Sequence, residues 1–360
     1  MKETPLNRAH KALGARMVEF AGWEMPVQYE SALQEHIAVR NAVGLFDVSH
    51  MGRLRIKGRD ALALVQQVSC NDAARLADGQ AQYSGLLNTA GGFIDDIIVH
   101  RFASDQFMIC VNASGREKDL AWFLNHQSGN VEIIDESDVT AQIAVQGPKA
   151  VEILQPLTKI PLQEIKYYWF REGDVGGTKA LIARTGYTGE DGFELYLPAS
   201  AAELIWNRLL DAGQAAGVRP AGLAARNTLR LEMKMPLYGN DIDDTTTPWE
   251  AGLGWIVKLS KGDFVGKSAL ERQQQEGVRR KLVGFELIDR GIARDHFPVW
   301  IEDRPAGHVT SGSYSPSLEK SIGLAYLPVD HEAFGSRFSV EVRRKRLAAQ
   351  VVQTPFYRRK

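Results

Sequence analysis

Apolar and polar positions along the chain fall into two distinct patterns. From Phe93 to Arg101 a run rich in Ile and Val predicts a strand. Ser104-Asp105-Gln106 turns the chain, and Phe107 to Asn112 predicts a second strand. Ser114-Gly115-Arg116-Glu117 has the form of a capping box. Leu120, Phe123 and Leu124 follow at helical spacing, so a helix is expected there, then a short strand from Val131 to Ile134. The same order returns downstream, with Ala180 to Arg184 a strand, Gly186 to Gly192 a turn-rich loop, and Phe193 to Leu197 a strand. A second capping box, Ser200-Ala201-Ala202-Glu203, precedes Leu204, Ile205, Leu209 and Leu210. Both helices follow an Ala-Ser pair, which predicts a pseudo-repeat of β-turn-β-α units. Residues 256–276 read as a strand at Ile256 to Leu259, a loop and a short helix, with the polar Gln273-Gln274-Gln275-Glu276-Gly277 as a linker. Beyond Arg280 the pattern changes to short strands between frequent turns: Leu282 to Leu287, Val299 to Glu302, His308 to Ser311, Ile322 to Leu327, Phe338 to Val342 and Arg346 to Val352. That second pattern predicts a small antiparallel β-domain or barrel.

Composition narrows the functional classes. A length of 360 residues suggests roughly two to three domains. Hydrophobic residues at 44% and charged residues at 24% are those of a globular protein. A net charge of −1 argues against a general nucleic-acid binder. The two cysteines, Cys70 and Cys110, are too few for a disulfide scaffold or an all-cysteine metal site and fit a reducing compartment. No apolar run reaches membrane-spanning length, and Met1-Lys2-Glu3-Thr4-Pro5 does not open a signal or transit peptide, so a cytoplasmic location without a membrane partner is expected. Residues 278–360 carry fifteen Lys and Arg against nine Asp and Glu, a net of +6, which leaves −7 for the rest. This basic part either meets an acidic partner or is a solvated face. Metal-ligand spacings, Gly-x-Ser-x-Gly and Gly-x-Gly-x-x-Gly are absent. Gly266-Lys267-Ser268 ends like a phosphate loop, but Gly262 stands one residue too close.

Four features carry candidate chemistry. In Phe93-Ile94-Asp95-Asp96-Ile97-Ile98-Val99, adjacent aspartates point to opposite faces of a strand whose apolar run suggests burial on both sides. One acid is then buried and has a partner or a task, or else both lie wet at a strand end. In Arg184-Thr185-Gly186-Tyr187-Thr188-Gly189-Glu190-Asp191-Gly192-Phe193-Glu194, glycines permit close ligand approach. Tyr187 offers a stacking face, and Glu194 offers a bidentate acceptor suited to a pterin or guanine edge; the alternative is a hairpin loop with a solvated acid. In Gly222-Leu223-Ala224-Ala225-Arg226-Asn227-Thr228-Leu229-Arg230-Leu231-Glu232, the two arginines share a helical face. Arg226 pairs either with a carboxylate in a site or with a surface acid. Tyr83, Tyr167, Tyr168, Trp169, Tyr238 and Trp255 either line a pocket for a flat ligand or fill a core.

Together these segments resemble the aminomethyltransferase (T-protein) family of the glycine cleavage system. The resemblance runs almost end to end, through Phe20 to Tyr29, Asp47 to Gly52, Gly91 to Val99, Arg116 to Asp119, Gln146 to Pro148, Arg184 to Glu194, Leu237 to Asp243, Thr310 to Gly312 and Ser315 to Ser317. It implies an α+β, multi-domain, cloverleaf-like folate-binding fold with ferredoxin-like β-α units and a C-terminal antiparallel β-barrel. The expected division is 1–275, as two interleaved subdomains with one centred on about 52–136, and 280–358 for the barrel. It implies tetrahydrofolate as co-substrate and no metal. Lipoylated H-protein is the implied partner, alongside the P-protein and L-protein of the same system. Carried over position by position, Asp96 matches the catalytic aspartate, Glu194 the pterin-binding glutamate and Arg226 the site arginine. Met51, Tyr83, Asn112, Tyr187 and Trp255 match pocket positions. Tyr167 matches more loosely because Tyr168 adjoins it. Asn227 stands where the family usually has Asp, so no salt bridge is expected there.

Two relatives of that scaffold fit less well. Demethylating dehydrogenases need a flavin domain, and this chain has no dinucleotide motif. The folate-binding factor that assists iron–sulfur enzymes carries Lys-Gly-Cys-Tyr-x-Gly-Gln-Glu, whereas Lys261-Gly262-Asp263-Phe264 has no cysteine. A folate-binding accessory or regulatory protein without transferase activity is the remaining alternative.

Overall fold

A computed structural model describes residues 1–359. The chain divides into two compact units: residues 1–68, 72–84 and 97–227 form the first, and residues 69–71, 85–96 and 228 onward the second. Among the described residues no helix is long and apolar enough to cross a membrane.

The first unit is built on a six-stranded sheet in the order Phe170–Val175, Thr178–Ala183, Gly192–Pro198, Thr140–Gln146, Val43–Asp47, Val218–Pro220. Neighbours are antiparallel except the last pair. Strand alternation sorts its residues. Ile143, Val145, Phe193, Leu195 and Leu197 pack into one core with Ile205, Trp206 and Leu209 of the helix Ala202–Gly213. The intervening positions, Gln142, Glu194 and Tyr196, therefore share the opposite face. A second sheet has the order Gln80–Leu87, Phe93–Ala103, Gln106–Val111, Gly52–Lys57, Glu132–Asp135. Its strand Phe93–Ala103 gives residues 93–96 to the second unit and the rest to the first.

The expected β-turn-β-α repeat is present. The hairpin of Phe93–Ala103 and Gln106–Val111 leads to the helix Arg116–Asn125, and that of Thr178–Ala183 and Gly192–Pro198 leads to Ala202–Gly213. The capping boxes are not formed. Gly115, already at φ −94° and ψ −12°, occupies the first N-cap, and Ala201, at the end of the 3-10 turn Ala199–Ala201, occupies the second; neither cap receives a side-chain hydrogen bond. In both cases the chain curls before the serine can serve as cap.

In the second unit, the strands Arg280–Leu287, Pro298–Ile301, Arg304–Ser315, Lys320–Pro328, Arg337–Val342 and Lys345–Val352 close into an antiparallel barrel around Phe285, Val299, Val309, Leu327, Phe338, Val340 and Val351. Closure removes the exposed sheet edges. Two expectations fail here. Ile256 to Leu259 is not a strand but parts of the 3-10 turns Gly254–Ile256 and Leu259–Lys261, held by Lys258 N donating to Cys70 O and Lys261 Nζ to Asn71 O at 2.9 Å. Gln273 to Glu276 is the last turn of the helix Lys267–Glu276 rather than a linker, and Gly277 at φ 80° ends it.

Two buried networks anchor this unit. Arg230 Nη1 pairs with Asp241 Oδ2 at 2.6 Å, and its Nη2 donates to Ser311 Oγ at 2.8 Å. Glu232, fully buried, accepts from Ser315 Oγ at 2.5 Å and Ser317 Oγ at 2.9 Å. At the entry to the aspartate-bearing strand, Asn88 Oδ1 accepts from Ala90 N and Gly92 N, and Phe93 N donates to Asp243 O at 3.0 Å. A Cβ on Gly92 would stand 2.0 Å from Asp244 O, so only glycine fits.

Candidate functional site

The first unit presents a carboxylate held from behind. Glu194 opposes Ala144, and Tyr196 opposes Gln142, in the antiparallel pairing of their strands, so Gln142 lies diagonally across from Glu194 on the same face. Gln142 Nε2 donates to Glu194 Oε1 at 2.9 Å, and Thr185 Oγ1 donates to Glu194 Oε2 at 2.6 Å. Each oxygen thus carries one donor from a buried side chain. A carboxylate has about four acceptor positions, so the half-buried Glu194 can still accept two further N–H groups.

The loop from Arg184 to Gly192 is pinned at both ends. Arg184 Nη2 pairs with Asp191 Oδ2 at 2.5 Å, and the buried Arg40 Nη1 donates to Glu190 Oε1 at 2.9 Å and Thr188 O at 2.7 Å. Thr188 Oγ1 donates to Gln146 Oε1 at 3.0 Å. Tyr187 rides on this frame, half-buried, with the Arg226 guanidinium 4.5 Å from its ring centroid. The helix Leu223–Glu232 carries Arg226.

Met51 immediately precedes, and Asn112 immediately follows, the paired residues Gly52 and Val111, so both lie at one end of that strand pair. The turn before Met51 is clamped by Arg53, fully buried. Its Nη1 donates to Ser49 O and Met51 O, and its Nη2 to Thr140 O and Ser137 O. Burial pulls the Arg53 pKa down. Beneath the same turn, burial pushes the Asp47 pKa up, but hydrogen bonds from His10, Thr4 and Ser49 bring it down to about 2. His50 is 2% exposed, and burial, with the positive charge of Arg226, lowers its pKa to about 3, so it is neutral. Tyr168 packs in the cluster containing Met51, Cys110 and Tyr196. Tyr167 touches Tyr168 edge-on, at 4.7 Å between ring centroids, but is itself 61% exposed. Of that ambiguous pair, Tyr168 is the one packed against the buried cluster of Cys110 and Tyr196. Tyr83 lies half-buried on the strand Gln80–Leu87.

In the second unit the aspartate pair divides as alternation requires. Asp95 is fully buried, and Asp96 is half-buried. The member enclosed by protein is thus not the one the resemblance selects; Asp96 is the member with solvent access. Trp255 is 59% exposed on the 3-10 turn Gly254–Ile256. Among the described residues no group of three His, Cys, Asp or Glu could hold a metal ion.

Sequence reasoning missed Gln142, Thr185, Arg40 and Arg53. Gln142 left a signal, as a lone long polar side chain in the apolar run Ala141-Gln142-Ile143-Ala144-Val145. A buried amide in such a strand needs partners.

Comparison with known proteins places the chain in a family. Residues 6–261 match the GCVT N-terminal domain, and residues 280–358 match the glycine cleavage T-protein C-terminal barrel domain. The chain is 48% identical to an aminomethyltransferase of Desulfitobacterium hafniense, over 100% of this chain and 99% of the relative. It is 51% identical to one of Koribacter versatilis, over 100% and 97%. The crystal structure of the glycine cleavage system aminomethyltransferase T from Bartonella henselae superposes with a TM-score of 0.94 at 35% identity, covering 100% of this chain and 99% of that one. These matches define an enzyme of the aminomethyltransferase class. The chain belongs to the glycine cleavage T-protein family.

Proposed function

We propose that the enzyme moves the aminomethyl carbon from the dihydrolipoyl arm of the H-protein to tetrahydrofolate. The carbon–sulfur and carbon–nitrogen bonds of the S-aminomethyl group break, and two bonds to folate nitrogens form. The two N–H protons go to the departing ammonia and to the thiol, giving 5,10-methylenetetrahydrofolate and dihydrolipoyl H-protein. The reading includes the P-protein and L-protein as further partners in a cytoplasmic system, and no metal, nucleic acid or membrane.

The observation that carries this reading is Glu194, whose two oxygens are each held by one buried donor and keep acceptor positions for an N–H pair. That donor set fits a pterin edge, and the aromatic surface of Tyr187 beside it fits a flat ring. Glu194 binds the pterin, Arg226 supplies positive charge, and Met51, Tyr83, Asn112 and Tyr167 line the same pocket. Asp96 stabilises the positive charge that develops at the transferred carbon as ammonia leaves. It also orients the attacking nitrogen and assists removal of its proton.

The test is ammonia release from aminomethylated H-protein with and without tetrahydrofolate. Folate-dependent release supports transfer, whereas folate binding with no release identifies an accessory protein. Asp96→Asn is expected to lower kcat by about 10²-fold or more while keeping folate affinity. Wild-type turnover in that variant would remove Asp96 from the chemistry.

A further inference from the structure

We propose that Cys110, Gln142 and Tyr196 form a buried cluster of polar groups, joined through Gln142, that orients the Glu194 carboxylate, with Gln142 as the positioning residue for folate. The inference rests on the reading of Glu194 as the pterin acceptor and adds a set of residues behind it.

All three members lie in the first unit, at 4%, 1% and 5% exposure. An ionised glutamate only accepts, so the nitrogen of the Gln142 amide faces Glu194. The same nitrogen reaches the Tyr196 hydroxyl at 3.2 Å. Its carbonyl oxygen then faces the Cys110 sulfur at 3.7 Å and accepts from the thiol. Burial pushes the Cys110 thiol up to about 12 and the Tyr196 phenol well above its usual value, so both keep their protons at neutral pH. The backbone of Gln142 is fixed as well, because its N donates to Ser49 Oγ at 3.0 Å and its O accepts from the same hydroxyl at 3.3 Å.

The consequence is directional. A Gln142 amide turned end for end would set its carbonyl oxygen against the carboxylate. The thiol prevents this by demanding an acceptor on its own side. With Thr185 on the other oxygen, the plane of the carboxylate is set before ligand arrives, and binding does not have to freeze it. A lone buried thiol that serves as a hydrogen-bond donor also explains why its raised pKa is an asset here: a thiolate would repel Glu194 and lose its donor.

The test compares tetrahydrofolate Kd, measured by titration calorimetry without H-protein, with kcat at saturating folate. Gln142→Leu is expected to raise Kd about tenfold, with kcat within about twofold and a native melting transition. Cys110→Ala is expected to raise Kd about threefold, and Cys110→Ser, which keeps a donor, to restore most of it. In a Glu194→Gln background, Gln142→Leu should add little. If Glu194→Gln weakens binding but Gln142→Leu leaves Kd unchanged, the cluster is structural and this inference fails. If Glu194→Gln itself leaves Kd unchanged, the assignment of Glu194 to the pterin fails instead. Cys110→Ser behaving like Cys110→Ala would also overturn the role given to the thiol proton.

Discussion

Glu194 and Glu232 are both glutamates that accept from hydroxyls, and they end in opposite situations. Glu232, in the second unit, is fully buried, with Ser315 Oγ and Ser317 N on one oxygen and Ser317 Oγ on the other. Glu194, in the first unit, is half-buried and has one side-chain donor on each oxygen. The first arrangement uses up the carboxylate to join a helix end to barrel strands. The second fixes the carboxylate and leaves acceptor positions for something else. The number of donors relative to acceptor positions, rather than charge or residue type, separates the acid enclosed by its partners from the one that keeps acceptor positions open.

The comparison breaks most visibly where the second unit's networks are cut. Arg230→Met leaves Asp241 buried without its cation and is expected to cost about 3–5 kcal/mol, read as a lowered midpoint in chemical denaturation. Glu232→Gln replaces acceptor positions with an amide that cannot satisfy the facing donors. It should cost about 2 kcal/mol and leave tetrahydrofolate affinity at the wild-type value. Glu194→Ala should do the reverse, with a nearly unchanged melting temperature and a Kd for tetrahydrofolate raised about tenfold by calorimetry. A loss of stability in Glu194→Ala as large as that in Glu232→Gln would erase the distinction.

The smallest effect is one of pH. His50 and His100, both in the first unit, are buried and neutral, with pKa values lowered by burial to about 3 and about 4. An unfolded histidine takes up its proton near pH 6.5, so the unfolded state binds more protons below that pH. Stability is therefore fully present above about pH 6.5 and declines as pH falls toward the folded values. From pH 7 to pH 6 the loss is roughly 0.7 kcal/mol per histidine, measurable as a shift in denaturation midpoint. His100→Gln should flatten the slope by about half. An unchanged slope would mean that His100 takes up its proton at the same pH folded and unfolded, so that burial does not lower its pKa.

The barrel was legible in the sequence because alternation and turn residues repeat along six short segments, and each segment needs only its neighbours to be read. The paired β-turn-β-α units were legible for the same reason. The capping boxes misled because Ser114 and Ser200 are spaced correctly in sequence, yet the chain turns before either could act as a cap. The short apolar run at Ile256 was misread as a strand, since burial alone does not distinguish strand from turn. At the site, residue chemistry singled out Glu194, Tyr187 and Arg226 but left a binding and a solvated reading open, and only the resemblance chose between them. Alternation correctly split Asp95 from Asp96 but could not say which one the fold would enclose. Gln142 and Arg53 went unread because their partners lie on strands and turns distant in sequence.

Gly92 has a consequence for how this protein can change. Because a single methyl group at that position would collide with the Asp244 carbonyl, the start of the Asp95-Asp96 strand and the segment around residue 244 form a seam closed on the scale of one atom. Ala at position 92 should displace the start of that strand, and Asp96 with it, without altering any polar group, so that a defect there arises from shape alone.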